Sequence, residues 1–116
     1  MTLAQSIRMQ NTIGSTSSQE IDVELFAFIE RYATSLIRWD LLLYFGQNPN
    51  RRDQAFQVAQ HVGRKPATLQ KELDDLVYLG VLRADSHADT IVYSLAHDIS
   101  TRRVAIRMAH DIAPMR

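Results

Sequence analysis

Beyond residue 20 the apolar positions fall into helical spacing. Ile21, Leu25, Phe28, Ile29, Tyr32 and Leu36 lie three or four apart, which predicts an amphipathic helix over about 20–34. Glu20, Asp22 and Glu24 occupy its expected first turn, where carboxylates suit the helix dipole. The run "LIRWDLLLYF" (36–45) is apolar on nearly every side, so it predicts a helix at the centre of a core, Trp39 included. Ser35 can cap this helix, or the two segments can form one bent helix. Gly46 and "NPN" are expected to end it.

Ala55, Val58, Ala59 and Val62 give the buried side of a short third helix, with Asp53 as its cap and Gly63 as its stop. Pro66 suits the first turn of a fourth helix, whose inner stripe is Leu69, Leu73, Leu76 and Val77 and whose end is Gly80. "VLRAD" and "TIVYSLA" then read as β-prone runs joined by "SHAD", with Ile91, Tyr93 and Leu95 alternating as a half-buried strand does. Asp98 can cap a last helix through about His110, and Pro114 closes the pattern. The predicted fold class is mainly α with a small β-hairpin.

Residues 1–19 are rich in Ser, Thr and Gln without sustained apolar periodicity, and are expected to form a flexible N-terminal tail. That leaves a domain over 20–113, with a core at about 36–96 and flanking helices at about 20–34 and 98–110. A chain of 116 residues is one domain's worth. No apolar run approaches the roughly 18–20 residues of a membrane span, and no basic-then-apolar leader opens the sequence. No membrane association is expected, and a cytoplasmic location is the default expectation.

The absence of cysteine excludes disulfides, thiolate metal ligands and a thiol nucleophile. No paired carboxylates on a recognisable frame, Gly-rich phosphate loop or Ser-His-Asp order appears, so an enzyme is not expected. His97 and His110 are thirteen residues apart and fall about 140° from each other around a helix. One chain cannot use both on one ion, although a site shared across a dimer is conceivable. No metal and no cofactor is expected, and the residues identify no small-molecule effector. His61 reads as a helix-end residue.

Net charge is zero, yet charge is segregated along the chain. Residues 20–40 carry a net −3, residues 51–71 a net +4, residues 72–98 a net −5 and residues 99–116 a net +3. A neutral chain with so localised a basic segment can present a basic face, or these can be solvated surfaces alone.

The stretch "AFQVAQHVGRKPATLQKELDDLVYLGVL" (55–82) places Ala59, Gly63, Leu69, Leu73, Leu76, Gly80 and Leu82 at a distinctive spacing. From about Ile37 to Leu95 the sequence resembles the winged helix-turn-helix core of small MarR-like and ArsR-like regulators, here with extra N- and C-terminal helices. That resemblance implies double-stranded DNA as partner, with the fourth helix in the major groove and the hairpin, or wing, beside it. Arg51, Arg52, Arg64, Lys65, Thr68, Gln70, Lys71 and Arg83 are the candidate DNA-binding residues. With Leu73 facing inward, Thr68, Lys71, Asp75 and Tyr78 fall on the outer face, so only the helix's first half offers cations. Glu72, Asp74 and Asp75 fill the second half, and Asp85 and Asp89 lie in the wing.

The resemblance also implies a homodimer built from the flanking helices. Leu25, Phe26, Phe28, Ile29, Tyr32, Val104 and Met108 are its candidate contacts, unless both helices fold onto their own core. The acidic residues keep a second function open: a winged helix used for protein contact or assembly that does not bind DNA.

Overall fold

The structure, a computed structural model, describes residues 13–115. Five helices and one hairpin follow in the order α1 (Ile13–Tyr32), α2 (Leu36–Gln47), α3 (Ala55–Val62), α4 (Pro66–Tyr78), β1 (Leu82–His87), β2 (Thr90–Leu95) and α5 (Ile99–Ile112). A 3-10 turn, Ala113–Met115, completes the order. Helix α1 begins at Ile13 rather than Glu20, so Glu20, Asp22 and Glu24 fall within the helix and not in its first turn. The tail expected over 1–19 is therefore helical from Ile13, and its residues 1–12 lie outside the described residues.

Helix α2 is the hub. Six consecutive residues, Leu41 to Gly46, are buried, as a helix surrounded by others requires. Ser35 caps it by accepting from the Arg38 N–H, which separates it from α1. Trp39 is partly buried against the core. Gly46 does not end the helix as its residue type suggests. It lies inside, where a Cβ would come within 2.4 Å of the Ala105 carbonyl oxygen and 2.8 Å of the Ala109 Cβ. The glycine lets α2 and α5 cross backbone to backbone. Arg102 ties α5 to the loop after α2, donating to the Pro49 carbonyl and to Asn50.

Helix α3 also departs from its expected cap. Gln54 holds the N-cap position and exchanges hydrogen bonds with Gln57 in a capping box. Asp53 is instead buried, its backbone paired antiparallel with Tyr93 and its carboxylate taking the Tyr44 hydroxyl and the Arg51 Nε–H. Gly63 stops α3 at φ +72°, a left-handed conformation open to glycine without Cβ strain. Pro66 begins α4, and Leu69, Leu73 and Leu76 are fully buried beneath it. Burying each such leucine contributes about 1.5–3 kcal/mol.

Strands β1 and β2 pair antiparallel from Leu82↔Leu95 to His87↔Thr90. The connection shrinks from "SHAD" to Ala88–Asp89, with Ala88 at φ +54°. Tyr93 and Leu95 are buried at the base of the wing while Ile91, nearer its tip, is exposed. Leu25, Phe28, Val104 and Met108, expected at a dimer contact, are buried in the protomer's own core because α1 and α5 pack onto it. Ile29 and Tyr32 are partly buried there, and Phe26 alone of that set is exposed, at 62%. Among the described residues no helix is long and apolar enough to cross a membrane.

Candidate nucleic-acid interface

The turn between α3 and α4 gathers Arg64, Lys65 and Thr68 with Gln60 and Gly63 around a shallow depression of about 440 Å³. Proline at N1 leaves the N-terminal backbone of α4 without one amide, and the Thr68 N–H already donates to the Lys65 carbonyl at 3.0 Å, so side chains rather than backbone offer this end of the helix to an anion. Lys65 and Thr68 are exposed, and Lys71 stands one turn further on. Two other candidates meet elsewhere: Arg52 and Arg83 both reach Asp85 in β1, at 3.5 and 3.2 Å. Arg51 lies apart from both groups, donating to Asp53 at 3.0 Å and to the His61 ring at 2.9 Å. That ring stacks on Tyr44, so His61 is part of the scaffold around Asp53.

Five of the six candidate cations have a carboxylate partner within the chain. Arg64 pairs with Asp40 of α2 at 2.8 Å, and Lys71 with Asp75 at 2.7 Å. Lys65 has none among the described residues. The hydrogen bond between Lys71 and Asp75 raises the ammonium's pKa and lowers the carboxyl's. Both groups stay open to solvent, where such a pair adds little stability and can exchange for a phosphate.

The carboxylates of α4 are arranged differently. Arg38, projecting from α2 with its side chain 15% exposed, donates to Glu72 at 2.7 Å and to Asp75 at 3.1 Å. Asp74 accepts from the hydroxyl of Tyr93, in the wing, at 2.9 Å. All three acids of "ELDD" therefore hold α4 to the body of the protein. Burial first, and then the hydrogen bond to Asp74, pushes the Tyr93 phenol upward, so it stays a donor. Sequence spacing finds neither Arg38 nor Tyr93 as contributors here. The available signal is a lone arginine in the otherwise apolar face of α2.

The three-helix core, the α3–turn–α4 pair and the two-stranded wing in this order define the architecture. It is a winged helix-turn-helix fold.

Solved structures share it over nearly the whole chain. The AntR antimony-specific transcriptional repressor superposes with a TM-score of 0.56 at 21% identity, covering 100% of this chain and 99% of that one. A homodimeric winged helix-turn-helix DNA-binding domain from Mycobacterium bovis, described as a possible ArsR-family regulator, gives 0.57 at 15% identity over 92% and 94%. The transcriptional repressor BigR from Xylella fastidiosa gives 0.57 at 16% identity over 90% and 98%. No protein-family model and no curated protein sequence matches the chain. At these identities the likeness establishes the winged-helix fold.

Proposed function

We propose that this winged-helix chain is a DNA-binding transcriptional regulator that acts as a homodimer and inserts only the first two turns of α4 into the major groove. The observation that carries this reading is the polarity of α4. Lys65, Thr68 and Lys71 are exposed at its start, whereas Glu72, Asp74 and Asp75 are held by Arg38 and Tyr93. Phosphate meets the cationic turn, and the acids that would repel it are already engaged. The repressors that share the fold support the same role.

Arg64, Lys65 and Lys71 are assigned to phosphate, with Thr68 and Gln70 facing base edges. Arg51, Arg52 and Arg83 add contacts when DNA replaces their carboxylate partners. The wing supports a second reading, a protein-contact module, because Asp85 occupies both Arg52 and Arg83. Titrating a duplex at several salt concentrations separates the two. Cation–phosphate contacts give an affinity that falls steeply with salt, by about 0.9 in log–log slope per contact. Replacing Lys65 and Lys71 together by glutamate lowers both the affinity and the slope. A dimer that binds no duplex at low salt leaves the protein-contact reading in its place.

A further inference from the structure

Gln70 stands on the first half of α4 and is exposed, yet its amide nitrogen is committed. Nε2 lies 2.7 Å from the Tyr93 hydroxyl oxygen and 3.2 and 3.3 Å from the two oxygens of Asp74. The Tyr93 hydroxyl in turn donates to Asp74 at 2.9 Å. A carboxylate only accepts, so the Gln70 atom facing Asp74 must be the NH2 group. Tyr93 spends its single hydrogen on Asp74 and must therefore accept from Gln70. The three side chains close a ring in which both amide hydrogens of Gln70 are used. Its carbonyl oxygen, Oε1, has no partner among the described residues and is the one hydrogen-bonding valence left to a ligand.

We infer that Gln70, locked by Tyr93 and Asp74 as an acceptor, reads DNA by discriminating amino-bearing from keto-bearing bases. In the major groove adenine and cytosine each present an exocyclic NH2 donor, whereas guanine and thymine present carbonyl acceptors. An unconstrained glutamine grips adenine with both ends of its amide. Here the donor end is occupied, so adenine and cytosine are accepted alike and guanine and thymine are refused. Tyr93, buried at the base of the wing, is the positioning residue. It makes the wing a determinant of what α4 reads without touching DNA itself.

The inference rests on the proposed DNA-binding function, and selection of duplexes from a random-sequence library by the full chain tests it. The expected motif contains, once per half-site, a position where adenine and cytosine on one strand are enriched equally over guanine and thymine. A single neutral hydrogen bond supports a preference of about two- to tenfold. Gln70→Ala flattens that position and leaves the others. Gln70→Lys, which offers donors only, inverts it toward guanine. Tyr93→Phe keeps the buried ring but frees one amide hydrogen, so adenine gains over cytosine. A motif unchanged in Gln70→Ala overturns the inference alone, as does a wild-type position that selects adenine only. Failure of the wild-type dimer to select or bind any duplex overturns the DNA-binding reading and this inference with it.

Discussion

Gly46 has no room for a side chain. A methyl group there meets the Ala105 carbonyl at 2.4 Å, and backbone on the neighbouring helix cannot rotate away. Alanine normally favours a helix over glycine by about 1 kcal/mol. Overpacking costs about 1–3 kcal/mol and wins here, so Gly46→Ala is expected to destabilise the protein in chemical denaturation. Neighbouring "NPN" makes the glycine look like a terminator, because a sequence records which residue breaks a helix and not which helix crosses it.

Asp53 makes the same point. Its position before α3 suits a cap, but Tyr44 arrives from α2 with a hydroxyl and diverts the carboxylate into the interior. Burial, then the hydrogen bond to Asp53, raises the Tyr44 phenol pKa above its ordinary 10.0, and Tyr93 shifts the same way. A raised phenol favours the folded state while protonated. That stability is fully present below about pH 10 and is lost as pH rises toward the folded-state values. Melting temperatures should therefore fall on alkaline titration, with a shallower fall in the Tyr44→Phe, Tyr93→Phe double variant.

At the scale of elements, α4 is divided between two tasks. Its leucines give the buried stripe, legible from spacing alone, and its acids look from sequence like a barrier to DNA. The structure turns Glu72 and Asp75 toward α2, where Arg38 sits opposite them, while Asp74 stays exposed. That pairing links positions more than thirty residues apart, so no local pattern contains it. Arg38→Met strands the partly buried Glu72 carboxylate, while Asp75 keeps Lys71, and is expected to cost about 1–3 kcal/mol in denaturation. On the proposed DNA-binding function it should also weaken duplex binding by returning negative charge to α4. The triple variant Arg38→Met, Glu72→Gln, Asp75→Asn removes that charge and should restore binding measured in the same titration. Weak binding that persists in the folded triple variant would show that Arg38 acts on DNA directly.

For the whole molecule, the order of helices and hairpin was legible because each element carries its own period and stop. The division of the flanking helices between core and surface was not. Apolar spacing cannot say whether α1 and α5 cover their own core or a second chain, and here one set of residues does the first. Leu25, Phe28, Val104 and Met108 are consumed within the protomer, leaving Val23 and Phe26 on α1 and Ile99 and Ile106 on α5 exposed. An apolar cleft of about 310 Å³ lies between these helices, with Leu25, Val104 and Ile106 in its lining. Glu24 and Arg103 bridge it at 2.8 Å. If the proposed homodimer uses this face, Phe26 is its largest available anchor. Removing an aromatic anchor from an interface typically costs 2 kcal/mol or more, about thirtyfold in affinity. Phe26 contributes little to the fold, so Phe26→Glu should keep a native circular dichroism spectrum while sedimenting as a monomer. Its duplex binding should weaken because the two half-sites are no longer held together. A Phe26→Glu protein that sediments as a dimer would place the contact on another surface.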